Sequence, residues 1–299
     1  MLTNYTVVMM GGDARQLEII RRLCEWDANV LLVGFDQLDH GFTGAKQVTM
    51  EDLDPKQSDA LILPVPGTND QGEMETIFSK KPIVLQKEWL QRTPEHCIVF
   101  TGITNPYLTS IAKETNRTLV SLFNRDDVAI YNSVPTVEGT IMMAIQHTDY
   151  TIHSSDVIVL GIGRVGMSVA RAFSALGAKV KVAARKSEDL ARAHEMALEP
   201  ILIQELKEHV QHSDIVINTI PAPVITANVL QNMKSSTFVI DLASKPGGTD
   251  FRYAEKRGIK ALLAPGLPGI VAPKTAGNIL ANVITQIMKE RYNERGTKS

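Results

Sequence analysis

The stretch Asp156-Val-Ile-Val-Leu-Gly161-Ile-Gly163-Arg164-Val165-Gly166, with the helix-patterned Met167–Leu176 and then Lys179-Val-Lys-Val-Ala-Ala184-Arg185-Lys186 behind it, decides the fold. An apolar strand runs into G-x-G-x-x-G, an amphipathic helix follows, and a second strand ends about 20 residues on, which is the context that turns a glycine turn into a dinucleotide fingerprint. Gly161 allows the tight turn. Gly163 lets the backbone approach a pyrophosphate facing the helix N-terminus, where Arg164 and Val165 begin the first turn. Gly166 lets the helix sit close on the strand. The second strand ends in Ala184-Arg185-Lys186 rather than in the acid that binds a ribose 2′-hydroxyl. Two cations suit a 2′-phosphate, so NADP is the expected cofactor. NAD is the alternative, with the pair a solvated strand end.

Composition bounds the rest. A length of 299 residues suits two domains, and 44% hydrophobic content fills their cores. A net charge of −2 without a long basic run argues against a nucleic-acid surface, and 5% aromatic content against stacking platforms for single strands. Cys24 and Cys97 stand in apolar segments without metal-ligand spacing, as expected for buried thiols in a reducing cytoplasm. No membrane-length apolar run is present. The histidines, His40, His96, His147, His153, His194, His209 and His212, lack H-x-x-x-H or H-x-x-E-H spacing, so no metal site is expected.

Strands and helices alternate through both halves. Expected strands in the first half cover 5–10, 29–35, 60–63, 83–85, 98–100 and 119–123, with helices over 14–26 and 107–114. Residues 1–134 form an N-terminal α/β substrate domain of flavodoxin- or Rossmann-like type. Residues 135–150 form a linking helix opened by Pro135, and 151–272 form the NADP-binding Rossmann domain. A long helix over 274–291 returns to the first domain, and 292–299 is a frayed polar tail. The expected fold is therefore α/β, with two doubly wound parallel sheets joined by two interdomain helices. The helices read Val134-Pro135-Thr136 and Ala272-Pro273-Lys274 at their starts, so their free N–H groups could form an anion-binding wall.

Ligands of an open α/β sheet sit at the carboxyl ends of its strands. Besides the glycine loop and Ala184–Lys186, those ends carry Thr219-Ile220-Pro221, Ala243-Ser244 and Gly266 as cofactor contacts. In the first half they carry Asp13 and Arg15, then Asn132, Ser133 and Thr136. Arg15, Lys245 and Lys274, with Lys87 nearby, form a cation set suited to carboxylates. Asp13 orients Arg15 or acts as a base, and Arg15 and Lys245 complete the expected catalytic group. Arg15, Asn132, Ser133, Thr136 and Lys274 are the expected substrate contacts. No Ser-His-Asp, Cys-His or paired-carboxylate arrangement stands out, so the chemistry rests on the cofactor.

Gly11-Gly-Asp-Ala-Arg-Gln16, Asn132-Ser-Val-Pro-Thr-Val-Glu-Gly139, Leu160–Gly166, Asp241-Leu-Ala-Ser-Lys-Pro-Gly-Gly248 and Ala264-Pro-Gly-Leu-Pro-Gly269 together resemble the family formed by the A subunits of dipicolinate synthase in endospore-forming bacteria, over essentially the whole chain. The layout is also similar to 2-hydroxyacid and alanine dehydrogenases. It departs from the hydroxyacid enzymes, which place a catalytic His where Ala243–Pro246 and Pro265–Gly269 offer none. The resemblance implies oxidation of a lysine-pathway intermediate to dipicolinate during sporulation. It also implies a homo-oligomer, a flavoprotein-like second subunit and a cytoplasmic, mother-cell location. Two other readings stay open: a different amino- or hydroxy-acid dehydrogenase, and a non-catalytic nucleotide-binding subunit.

Overall fold

The computed structural model describes residues 1–38 and 41–296. The chain forms two units, one made of Met1–Ala129 with the chain from Ala272 onward, the other of Ile130–Val271. In the first, β1 (Thr6–Met10), β2 (Asn29–Val33), β3 (Ala45–Gln47) and β4 (Ala60–Ile62) precede a two-stranded antiparallel hairpin, β5 (Glu73–Met74) and β6 (Ile83–Val84). Then come β7 (Ile98–Thr101) and β8 (Thr118–Ser121). Outside the hairpin the strands form one parallel sheet in the order β3-β2-β1-β4-β7-β8. In the second, β9 (Asp156–Leu160), β10 (Lys179–Ala184), β11 (Glu199–Leu202), β12 (Ile215–Asn218), β13 (Phe238–Asp241) and β14 (Ala261–Leu263) form a parallel sheet in the order β11-β10-β9-β12-β13-β14. Both are doubly wound Rossmann orders, with the direction of winding reversing between β1 and β4 and between β9 and β12.

Alternation along each strand feeds two apolar layers. Val7 and Met9 join Ile19, Ile20 and Leu23 of α1 (Ala14–Glu25) on one face of the first sheet. Val8 and Met10 face the other way, with Leu90 of α2 (Lys87–Gln91) and Leu108 and Ile111 of α3 (Pro106–Glu114). The second sheet repeats the pattern. Val157 and Val159 pack with Val169, Ala170 and Phe173 of α5 (Arg164–Ala175) and with Met143 and Ala144 of α4 (Asp126–His147). Ile158 and Leu160 pack with Val229 and Leu230 of α8 (Ala227–Leu230) and Ala254 of α9 (Phe251–Lys256). Phe173 is fully buried, a contribution of about 1.5–3 kcal/mol. The remaining helices are α6 (Ser187–Glu195), α7 (Leu206–His209), α10 (Leu267–Val271) and α11 (Pro273–Gly296).

Several expectations change. Pro135 does not start a helix, because it lies inside α4, which begins at Asp126. Asp126 and Asp127 occupy the first turn and favour a helix N-terminus there. Pro135 removes only one ladder bond from a long helix. The second proline does open its helix, with Pro273 the first residue of α11. The tail is shorter than expected, since α11 continues to Gly296; residues 297–299 and His40 lie outside the described residues. Strands β3 and β11 have no counterpart among the expected strands, both being short edge strands, β3 reading Ala-Lys-Gln with little apolar content and β11 reading Glu-Pro-Ile-Leu with a proline that argues against a strand. Among the described residues no helix is long and apolar enough to cross a membrane.

Helix α11 returns to the first unit, where Leu280, Ala281, Val283, Ile284 and Met288 join the α1 side of its core. Gly277 makes the close approach, since a Cβ there would overlap the Arg15 carbonyl oxygen. Gly277→Val is expected to destabilise the first unit by about 1–3 kcal/mol through overpacking. Trp26 and Trp89, the two tryptophans, both report on this unit. Their fluorescence in a urea titration should show the earlier midpoint.

Candidate active site

The clearest site is the carboxyl edge of the second sheet. Gly161 follows β9 at φ +92°, a left-handed conformation open to glycine, and its N–H donates to the Ala183 carbonyl at 2.9 Å. Gly163 caps α5 without offering a side-chain acceptor to its first turn. A Cβ on Gly163 would meet nothing within 4 Å, whereas one on Gly166 would overlap the Gly161 carbonyl oxygen. The three glycines thus differ in function: turning, leaving space, and seating the helix on the strand. Space over an uncapped helix N-terminus fits a diphosphate. Ala184, buried, ends β10 beside this loop, and Arg185 and Lys186 are exposed after it. The Lys186 Nζ has only a loose pairing, 3.7 Å from Glu188.

The opposite wall rests on two residues, Asn218 and Asp241, that are absent from the expected contacts. The Thr219 hydroxyl donates to the Leu160 carbonyl at 2.7 Å, fastening the 219–221 turn to the end of β9. Asn218 closes β12, donating through Nδ2 to the Ile220 carbonyl at 3.0 Å and to Asp241 Oδ1 at 2.9 Å. Its Oδ1 accepts from the Ile220 N–H at 3.0 Å. Asp241 closes β13 and is fully buried. It also accepts from the Ala243 N–H at 3.1 Å, the Gly248 N–H at 2.8 Å and the Thr249 hydroxyl at 2.6 Å. One buried polar pair therefore fixes two turns, 219–221 and 243–249. The readable signal is a polar residue closing each of two apolar strands. Ser244 and Lys245 stand exposed on the second turn, and Gly266 follows β14 at the same sheet edge with φ +71°.

The first unit treats its own glycine turn differently. Asp13 caps α1 in a capping box, accepting from the Arg15 N–H at 3.0 Å while Gln16 Oε1 accepts from the Asp13 N–H at 2.9 Å. The Arg15 guanidinium, 7% exposed, grips the same carboxylate from Nε at 2.9 Å and Nη2 at 2.5 Å. Burial alone would raise the Asp13 carboxyl, but the hydrogen bonds and charge of Arg15 outweigh it and hold it below the usual carboxylate range. In this geometry Asp13 orients Arg15. The hairpin loop lies over the turn: Gly12 donates to the Glu75 carbonyl and Ile77 to the Gly12 carbonyl, each at 3.0 Å.

Other expected substrate groups fare unevenly. Ser133 is 2% exposed, and its hydroxyl bonds the Ile130 carbonyl at 2.7 Å and Ser168 of α5 at 2.9 Å, so it joins two helices rather than facing a ligand. The Thr136 hydroxyl donates to the Asn132 carbonyl at 2.7 Å within α4. Both changes follow from Pro135 lying inside the helix, where the expected N-terminal anion wall has no free N–H groups. The Asn132 Oδ1 is a buried acceptor without a protein donor among the described residues. Lys274 is exposed on the first turn of α11. Lys87 is tied to Glu114 at 2.5 Å and leaves the cation set. Among the described residues no cluster fit for a metal ion occurs.

Both halves of the chain match known proteins. Residues 6–123 match the N-terminal domain of the dipicolinate synthase A subunit, and 128–299 the C-terminal domain of alanine dehydrogenase/PNT proteins. The chain is 60% identical over 296 residues to the A subunit of dipicolinate synthase from Bacillus subtilis (strain 168), covering 99% of this chain and 100% of that one. The chain belongs to the family of dipicolinate synthase A subunits. The crystal structure of the Bacillus halodurans member superposes with a TM-score of 0.94 at 63% identity, covering 96% of this chain and 98% of that one. A transhydrogenase from Sinorhizobium meliloti, covering 95% of this chain and 93% of its own at 15% identity and TM-score 0.68, shares the fold. The family match confirms two parallel-sheet α/β domains, the second of dehydrogenase type.

Two glycine substitutions separate binding from folding. Gly163→Val should leave thermal stability nearly unchanged, because the new side chain meets open space, yet abolish nucleotide binding. Gly166→Val should do the reverse first, lowering stability by about 1–3 kcal/mol as the helix is pushed off the strand. Differential scanning fluorimetry with and without nucleotide reads both. For the buried pair, Asp241→Ala leaves the Asn218, Gly248 and Thr249 donors unsatisfied, a loss of about 3–5 kcal/mol by analogy with a broken buried pair. Its unfolding midpoint checks this.

Proposed function

We propose that this chain is the NADP-dependent oxidoreductase subunit of a dipicolinate synthase. It forms pyridine-2,6-dicarboxylate from a dihydro- or hydroxytetrahydro-dipicolinate intermediate of the lysine pathway. The observation that carries the reading is the uncapped N-terminus of α5 beneath Gly163, flanked by exposed Arg185 and Lys186. Gly163, Arg164, Val165 and Gly166 hold the diphosphate through backbone N–H groups, and Arg185 and Lys186 hold the 2′-phosphate. Thr219, Ile220, Pro221, Ala243, Ser244 and Gly266 wall the nicotinamide half. Asn132 Oδ1 offers an acceptor to a ligand N–H.

The bound nicotinamide supplies the hydride acceptor. A dihydropyridine dicarboxylate that loses one hydride and one proton becomes an aromatic pyridine, so the product's own stability drives the reaction; a hydroxytetrahydro intermediate first loses water to give that dihydropyridine. The protein's task is to hold the ring carbon in line and fix the carboxylates. Lys245, exposed on the 243–249 turn, is the candidate carboxylate contact of the second unit, and Arg15, oriented by Asp13, and Lys274 are the candidates of the first. With Asp13 engaged by Arg15, the released proton goes to water or to a group on the partner. That partner is a second, flavoprotein-like subunit. The assembly contains a homo-oligomer of this chain, and its location is the mother-cell cytoplasm.

The decisive assay mixes the chain with NADP and the enzymatically generated intermediate, with and without the second protein. It follows NADPH absorbance together with the product's ultraviolet band. Equal appearance of both supports the reading; product without nucleotide reduction, or none with the partner present, overturns it.

Cofactor preference is expected to follow the two cations. NADP should bind more tightly than NAD, and Arg185→Asp with Lys186→Ala should invert the order. Each lost charge-assisted contact weakens NADP by about 1.5–3 kcal/mol. Titration of protein-bound NADPH and NADH fluorescence measures this, and equal affinities before and after would exclude the assignment.

A further inference from the structure

Helix α4 is apolar on two sides. Val137, Met143 and Ala144 of its inner side lie in the core of the second unit, and Ile141 is half-buried at the margin of that core. The other side faces outward. Of the five exposed residues between 130 and 145, four are apolar: Ile130, Tyr131, Val134 and Ile145, with Glu138 the fifth. Those four are between 55% and 64% exposed. At about 100° per residue, Ile130, Val134, Ile141 and Ile145 fall within about 60° of one another around the helix, with Tyr131 at the border of the stripe. A helix with apolar residues all round is one that is covered all round. Among the described residues, only its inner side is.

We propose that this stripe of α4 pairs with the same stripe of a second copy of the chain, antiparallel about a two-fold axis near Glu138. The inference deepens the homo-oligomer proposed above and leaves the reaction untouched. Spacing is the first argument for a second copy. The steps from Ile130 to Val134, Ile141 and Ile145 are 4, 7 and 4 residues, which read the same in both directions. An antiparallel copy therefore sets Ile130 against Ile145 of the second copy and Val134 against its Ile141, in both halves at once. A two-fold interface requires that self-complementarity. Size is the second argument. The stripe leaves roughly 500 Å² of apolar surface per chain, near the top of what a monomer shows in one patch. Two copies laid together remove about 1,000 Å² from water, where specific interfaces begin. Character is the third. A face with one charge in its span suits a permanent pair of identical chains, whose contacts are more apolar than those of subunits that meet and part. That charge, Glu138, falls at the centre of the palindrome. Pairing brings two carboxylates near the axis, where like charges oppose association.

Sedimentation velocity of the full chain at micromolar concentration tests the pairing. The wild type should sediment as a dimer or a multiple of one. Ile130→Lys and Ile145→Glu change exposed positions that the chain's own packing does not use. Each should weaken association roughly tenfold or more and take the assembly down one two-fold step. The double variant should regain much of the association, because each lysine then meets a glutamate of the second copy. Glu138→Gln should tighten it. Circular dichroism and NADP affinity check that each variant is folded. A monomeric wild type, single variants with an unchanged assembly, or a double variant that regains nothing each overturn the pairing. So does a result in which the single variants lose only the flavoprotein-like subunit, since the face then belongs to that protein. In every case the oxidoreductase reading stands or falls separately, on NADPH formation.

Discussion

Every α-helix begins with backbone N–H groups that have no partner inside it, and what meets them at α1 and α5 sorts the two units. At α1, Asp13 and Gln16 satisfy the orphan groups reciprocally, and Arg15 locks the capping carboxylate. That helix start is electrostatically finished. At α5 the capping position is Gly163, which brings neither an acceptor nor bulk. The same strand order thus yields two surfaces of different chemistry. One has its helix start filled by a carboxylate of its own, already paired with Arg15, while the other presents the positive end of a helix dipole to open space. A difference of one side chain at the cap outweighs an otherwise shared topology.

The other turns of the same sheet edge depend on a buried acceptor with enough donors. Asp241 sits in the interior with donors from a side-chain amide, two backbone N–H groups and a hydroxyl, each at hydrogen-bond distance. A side chain so surrounded resists movement, because any shift breaks several bonds at once. It turns two loops, which would otherwise be the softest parts of the sheet edge, into extensions of β12 and β13.

The second unit is legible in the sequence because its signals agree: an apolar strand, spaced glycines and a helix period all fall within residues 156–186. Strand β10 can be read to its ends because Val180 and Val182 alternate with Lys179 and Lys181, and Ala183-Ala184 then runs up to a charged pair. Strands β3 and β11 cannot, because Ala45–Gln47 is short and polar and Glu199–Leu202 contains Pro200, so each takes its conformation from pairing at a sheet edge. Pro135 misleads, since a proline is a strong sign of a helix start and only the acidic pair Asp126 and Asp127 marks the true one. Of the site, the glycine loop and the Asp13–Arg15 pair are visible, being local in sequence. The Asn218–Asp241 bond joins residues on different strands, and the hairpin covering Gly12 and Gly34 spans the sequence in the same way, so neither leaves a local pattern.

The return of α11 to the first unit has a consequence for how the chain is made. Its core residues Leu280, Ile284 and Met288 are synthesised after the whole second unit, yet they complete a layer begun by Val7 and Met9. The second unit, continuous from Ile130 to Val271, is therefore ready to fold before the first can close. The usual order, in which the more N-terminal domain folds first, is reversed here. A chain that lacks α11 carries an open apolar face on its first-made part, so chaperones and proteases can tell an unfinished molecule from a finished one by its first domain.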